Sequence, residues 1–182
     1  MIETGPVFTL ADIKQSGSSD DEAMAQVLRW LESGRVRQVA PPRPVFVRCA
    51  VGEVLADEHL ATALRLAFPS LVIIGGSALW RHQVSRERDA RLDCAVSEET
   101  DGCVFSSVRL HRRPSEWLRE VSQAGGLRGQ WLRVPLLSPE MAVADAAAFT
   151  DVWVPDQGSV DWDSLDPEAI STAQSIMRSL SG

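Results

Sequence analysis

Hydrophobic positions in the first third of the chain recur at helical spacing and then at strand spacing. From Asp20 to Ser33, the residues Met24, Val27, Leu28 and Leu31 fall at i, i+3, i+4 and i+7, which predicts an amphipathic helix of about four turns. Asp20, Asp21 and Glu22 in its first turn suit the positive end of the helix dipole, and Gly34 suits the position just past its end. Ahead of it, Thr9 reads as the cap of a short helix, with Asp12 completing a capping box. Ser16-Gly-Ser-Ser19 breaks that helix, and Ser18 or Ser19 caps the next. After Gly34 the pattern alternates: Arg35 to Val39 and Val45 to Cys49 read as two strands joined by the Pro41-Pro-Arg-Pro44 turn. Helix, turn, helix and hairpin is the order of a winged helix-turn-helix. The pattern fits equally a generic α+β start with no DNA role.

Beyond residue 52 the spacing is that of a small α/β domain. A helix is predicted from Glu58 to Phe68, ended by Pro69. Leu71-Val-Ile-Ile74 is continuously apolar, as in a strand buried on both faces. Gly75-Gly76 then turns tightly into a helix starting at Ser77. Arg91 to Val96 and Cys103 to His111 read as strands separated by a polar loop, and Ser115 to Gln123 as a helix or helical turn. Trp131 to Leu137 is another extended run, and Ser138-Pro139-Glu140 opens an Ala-rich helix with Ser at its cap and Pro at its first position. A loop over Asp151 to Asp163 precedes a last helix that starts at Asp166-Pro167-Glu168 and ends near Leu180. The expected fold class is α+β: a winged-helix-like module over 1–52, followed by a small α/β domain with a mixed sheet over 53–182.

Composition narrows the function classes. The 182 residues are 45% hydrophobic and 24% charged, ordinary for a globular protein able to form a core. No apolar run approaches the roughly 20 residues that cross a bilayer, and Met1 to Pro6 lacks the features of a signal peptide, so a cytoplasmic protein without a membrane partner is expected. Cys49, Cys94 and Cys103 include no CxxC pair, which points to buried free thiols rather than a disulfide framework or a zinc site. The net charge of −7 is uneven: Arg178 is the single base among eight acids in 134–182, whereas bases and acids balance in 1–50. A basic face elsewhere on the molecule is therefore compatible with an acidic whole.

Two stretches together resemble the AbiEi family, the antitoxin side of type IV toxin–antitoxin systems. The first is Val7-Phe-Thr-Leu-Ala-Asp12 with Val27-Leu-Arg-Trp-Leu-Glu-Ser-Gly-Arg-Val-Arg37 and Val45-Phe-Val-Arg48, similar to the winged-helix signature of that family. The second is Ile74-Gly-Gly-Ser-Ala-Leu-Trp80, with Ser138-Pro-Glu-Met-Ala-Val-Ala-Asp145 matching a serine-proline helix start. The resemblance implies a regulator whose first module binds promoter DNA and represses its own operon, and whose second domain counteracts a partner toxin of nucleotidyltransferase type. The arginines that would face DNA are Arg29 on the helix, Arg35 and Arg37 entering the wing, and Arg43 and Arg48 on it, since guanidinium groups suit phosphate. Solvated hairpin charges are the plainer reading of the same residues. Two features depart from the family pattern. Only five residues precede Pro6, so the module is expected to lack its first helix, and the presumed recognition helix opens with acids that would repel phosphate.

An enzymatic alternative starts from Gly75-Gly76-Ser77, which is also how nucleotidyltransferases of the polymerase-β type begin their site. That chemistry needs an Asp-x-Asp pair on the next strand to hold two metal ions. The corresponding stretch reads Asp89-Ala-Arg-Leu-Asp93, with Arg at position 91, so an inactive relative is the expected form. Gly75, Gly76 and Ser77 with Arg112 and Arg113 are then the candidate nucleotide or anion site; no metal ligand set and no cofactor is expected. His59, His82 and His111 are scattered and read as surface or packing residues, and Arg109, His111, Arg112 and Arg113 as a solvated basic strand end, with an anion or nucleic-acid site as the alternative. Trp30, Trp80, Trp117 and Trp131 are expected in the core. Trp153 and Trp162 flank an acidic loop and are expected to pack the tail, with a partner surface as the alternative.

Overall fold

A computed structural model describes residues 5–15, 19–49 and 52–181. The chain is α+β and divides into two compact units: 1–69 with 100–105, and 70–99 with 106–182. Residues 1–4, where a leader would begin, and 16–18, where one of the two candidate caps falls, lie outside the described residues.

The first unit runs β1 (Val7–Thr9), α1 (Leu10–Lys14), α2 (Asp20–Glu32), β2 (Arg37–Gln38), β3 (Val45–Val47) and α3 (Asp57–Ala67). Its antiparallel sheet has the order β1-β3-β2, which is the winged-helix arrangement with no helix ahead of β1 among the described residues. Both helix starts are capping boxes, Thr9 with Asp12 and Ser19 with Glu22. Phe8 and Phe46 face each other in the β1–β3 register, and their rings stack at 5.6 Å. They meet Ile13, Ala23, Val27 and Val36 in the core, and Trp30 stands edge-on to Phe8 at 5.8 Å.

That packing corrects part of the expected face of α2. Val27 and Leu31 pack inward as expected, together with Ala23 and Trp30, whereas Met24 and Leu28 are exposed. The small Ala23 side chain permits close approach, and Trp30 supplies the bulk, so a face of mixed sizes replaces the stripe of large aliphatic residues. Val45 and Val47 alternate to the other side of the sheet, where they are also buried. The helix α3, which buries Leu60 and Leu64, packs on β1 and β3. For this reason the units divide at 69/70, later than the 52/53 boundary read from the sequence.

The second unit contains β4 (Val72–Ile73), α4 (Gly75–Arg81), β5 (Leu92–Val96), β6 (Val108–Arg112), α5 (Trp117–Gln123), β7 (Leu127–Trp131), β8 (Val134–Leu137), α6 (Pro139–Ala148) and α7 (Pro167–Leu180). The sheet order is β6-β5-β4-β8-β7. It is mixed: β4 runs antiparallel to β5 and parallel to β8, and β5 runs parallel to β6. The apolar run around β4 is central and wholly buried, as its composition requires. Ser138 caps α6 by accepting the Met141 N–H, and α6 packs on α4 and α7.

Two expectations change here. The strand read over Cys103 to His111 is β6 alone, because residues 100–105 belong to the first unit, where the Val104 N–H donates to the Val39 carbonyl at 2.8 Å. The run Trp131 to Leu137 is the tip and second arm of a hairpin, in which Leu132 and Arg133 form a two-residue turn at φ 48° and 69°. Cys49 and Cys94 are buried and Cys103 is half-buried. None of the helices described is long and apolar enough to cross a membrane.

Candidate functional site

The first unit separates the five candidate DNA-facing arginines into two groups. Arg29 lies on the exposed side of α2, where it donates to Gln26 Oε1 at 2.7 Å. Arg35 is exposed just past Gly34, which takes the left-handed φ of 67° that ends the helix. The other three hold the module together. Arg37 Nη2 donates to the Val104 carbonyl at 2.7 Å. Arg43 lies over the Phe68 ring at 5.0 Å. Arg48 lies over Trp30 at 4.7 Å and Phe8 at 5.5 Å, closing the edge of the core. Two of the three acids that open α2 are also engaged: Asp20 pairs with Lys14 Nζ at 2.8 Å, and Glu22 accepts the Ser19 N–H at 2.9 Å.

In the second unit the candidate nucleotide or anion site does not form. The helix α4 starts at Gly75 rather than at the expected Ser77, and its first two residues are covered by the segment 152–155. A Cβ on Gly75 would meet Val152 Cγ1 at 2.1 Å, and one on Gly76 would meet the Trp153 ring at 2.2 Å. The Gly76 N–H donates to the Trp153 carbonyl at 3.1 Å, so the donor that would cradle a phosphate already has a partner. The glycines serve a close chain approach. Ser77 Oγ accepts the Asp93 N–H at 3.0 Å, which ties α4 to β5. Arg112 is exposed and pairs with Glu99 at 3.1 Å. Arg113 is buried, with its charge balanced by Asp145 and Asp151.

Beside this turn lies a string of ion pairs that the sequence reading had divided among unrelated features. On β6 and just past it, Arg109, His111 and Arg113 recur every second residue and share one side of the strand. Asp89 pairs with Arg109, and Arg109 grips Asp93 through Nε–Oδ1 at 2.7 Å and Nη2–Oδ2 at 2.8 Å. Asp93 Oδ1 also lies 2.8 Å from His111 Nε2, and His111 Nδ1 lies 3.1 Å from Asp151 Oδ2. Arg113 joins Asp151 to Asp145, and the Trp117 indole N–H donates to Asp145 Oδ1 at 3.0 Å. Acids and bases alternate from Asp89 to Asp145, so each buried charge has an opposite neighbour.

Both ring nitrogens of His111 face carboxylates, a geometry that suits the imidazolium, whose two N–H groups can both donate. Burial opposes the charge, but hydrogen bonds to Asp93 and Asp151 and their negative charges outweigh it and raise the His111 pKa above its ordinary value. Burial likewise opposes ionisation of Asp151, and the Arg113 contact more than offsets this and holds its pKa low. Asp93 is fully buried and committed to Arg109 and His111. His111 is thus a buried residue bridging two carboxylates, a link that the reading of scattered surface or packing histidines did not include. Its signal in the sequence was the period-two spacing of Arg109, His111 and Arg113.

The tryptophans also divide. Trp117 is buried as expected, Trp30, Trp80 and Trp131 are half-buried, Trp153 covers Gly76, and Trp162 is exposed with its indole N–H on the Gln157 carbonyl at 3.0 Å.

No family model matches the chain, and no curated protein matches it. Among solved structures it is similar to the RV2827C protein from Mycobacterium tuberculosis, with a TM-score of 0.55 and 17% sequence identity over 98% of this chain and 73% of that one. At that identity the likeness shows the fold alone.

Proposed function

We propose that the chain is an antitoxin-like transcriptional regulator of the AbiEi kind, acting in the cytoplasm. Its first unit would bind promoter DNA of its own operon, and its second would counteract a partner toxin of nucleotidyltransferase type. The observation that carries this reading is the first unit's order of strand, two helices and hairpin, with Arg29 and Arg35 exposed at the end of α2 and the entrance to the wing. Guanidinium groups there can bind phosphate oxygens and fix the protein on a duplex. Pairing of Asp20 with Lys14 and capping by Glu22 reduce the repulsion expected from the acids of α2. For the second unit, a binding role is supported over transfer chemistry. Asp93, the one carboxylate on β5, is committed to Arg109 and His111, and the Gly75-Gly76 turn is covered by Val152 and Trp153.

The test is binding of the whole protein to its own upstream region and to a random duplex over a range of salt. Preferential, salt-sensitive binding that weakens in an Arg29→Ala/Arg35→Ala variant supports the regulator. No preference over random duplex at low salt overturns the DNA half. Co-expression with a nucleotidyltransferase-like toxin encoded beside it tests the other half, which fails if growth is not restored.

A further inference from the structure

The segment from Asp151 to Pro155 crosses the start of α4 as a strap outside any helix or strand. It is fastened at both ends and in the middle. At its far end the Asp156 N–H donates to Glu87 Oε2 at 3.0 Å, and in its middle the Trp153 carbonyl accepts the Gly76 N–H at 3.1 Å. At its near end the Asp151 carboxylate lies 3.1 Å from His111 Nδ1 and 3.3 Å from Arg113 Nη1 and Nη2. Arg113 is committed more closely to Asp145, at 2.8 and 3.1 Å, so the shortest hold on the near end is that of His111. His111 stands between Asp93 on β5 and Asp151 on the strap, with Arg109 and Arg113 two residues away on either side. Asp89 lies beyond Arg109, and Asp145 on α6 lies beyond Arg113. A protonated ring donates to both of its carboxylates, whereas a neutral ring donates to one and turns a lone pair toward the other. The two carboxylates are not equally free to leave. Asp93 is fully buried and gripped twice by Arg109, but the Asp151 side chain is 51% exposed and open to water.

We propose that His111 is a proton-operated latch for this strap: loss of its ring proton releases Asp151, and the segment 151–155 lifts from Gly75 and Gly76. Burial opposes ionisation of Asp151, but the Arg113 contact more than offsets it, so the proton that decides is that of His111. Burial also opposes the charged ring, and the hydrogen bonds to Asp93 and Asp151 outweigh it and raise the His111 pKa. The latch is therefore closed at low pH and opens as pH rises through the folded value. Opening uncovers Val152, the Trp153 ring and the two glycines beneath them, an apolar surface that the closed strap hides. The latch does not rest on the promoter-binding or toxin-binding readings.

The test is NMR of the full-length protein at a series of pH values from about 6 upward, with the His111 ring titration and the exchange protection of the Gly76 amide read on the same samples. Gly76 protection is expected to fall by about tenfold or more as the ring titrates, the equivalent of one charge-assisted hydrogen bond. The Ala142 N–H, bonded to the Ser138 carbonyl within α6, is expected to change far less and reports on the fold as a whole. In His111→Gln, and in Asp151→Ala at the half-exposed end of the contact, Gly76 protection is expected to lose its pH dependence. The proposal is overturned if Gly76 protection stays constant through the titration, or falls only as much as that of Ala142. It is also overturned if either folded variant keeps the wild-type pH dependence, or if the His111 ring does not titrate while the protein is folded.

Discussion

Asp93 on β5 and Arg109 on β6 are direct neighbours across two parallel strands, and they meet through two hydrogen bonds of 2.7 and 2.8 Å. Asp93 has no solvent exposure, and its Oδ1 also lies 2.8 Å from His111 Nε2. Loss of this carboxylate would leave Arg109 and His111 without their shared partner inside the domain. Asp93→Ala is therefore expected to lower stability by about 3–5 kcal/mol, the usual result of breaking a buried pair from one side. Arg109→Met is expected to cost less, because His111 still donates to Asp93. Urea unfolding of both variants checks the order. Equal losses would mean that His111 does not share the load.

The pH dependence of stability follows from His111. Its pKa is raised in the folded state by Asp93 and Asp151. An imidazolium stabilised in this way contributes fully below its unfolded pKa of about 6.5, and the contribution is lost as pH rises through the folded value. The urea midpoint of the wild type is thus expected to fall as pH rises above about 6.5, more steeply than that of His111→Gln. The difference between the two curves isolates this group from the others that titrate in the range. Parallel curves would show that His111 carries no linked proton.

The covered Gly75-Gly76 turn makes a steric prediction. Gly76→Ala drives a methyl into the Trp153 ring, and Gly75→Ala meets Val152 and also requires a left-handed φ of 55°. Each is expected to destabilise by about 1–3 kcal/mol, as overpacking does. Gly158, with open space around it and no positive φ, is the control, and Gly158→Ala should leave the melting temperature nearly unchanged. If Gly76→Ala were as stable as the control, the 152–155 segment would not be seated on the turn in solution.

Local signals were legible in the sequence, and non-local ones were not. Thr9 with Asp12, Ser18 or Ser19 ahead of the acids of α2, and Ser138 before Pro139 marked helix starts, because a cap is a contact within three residues. The β7–β8 turn was hidden because Leu132 and Arg133 take positive φ where Asn or Gly would have announced it. The inward face of α2 was read correctly at Val27 and Leu31 and wrongly at Met24 and Leu28, because Ala23 counts for little in a hydrophobic pattern and contact with Phe8 and Phe46 decides the rotation. The ion string joins Asp93 to Asp145 and Asp151, which lie far along the chain from it, and its one local trace was Arg109-x-His111-x-Arg113. Of the five arginines proposed for DNA, sequence alone had no means to tell those stacked on Phe68 or Trp30 from those facing solvent.

That distinction gives the sharpest separation of folding from binding in the first unit. Arg48 lies over Trp30 and Phe8, so Arg48→Ala removes two cation–π contacts and uncovers the core edge. A loss of about 1–2 kcal/mol is expected, seen as a lower melting temperature. Among the described residues Arg29 and Arg35 make no such contact with an aromatic ring, and their replacement by Ala is expected to leave the melting temperature within about a degree, in keeping with the small effects of surface substitutions. If they contact phosphates, each replacement instead reduces the slope of log affinity against log salt by about 0.9 on a duplex. Melting and salt-titrated binding of the three variants therefore give opposite rankings. A single ranking, with Arg48→Ala worst in both, would mean that the wing arginines act on DNA only by keeping the module folded.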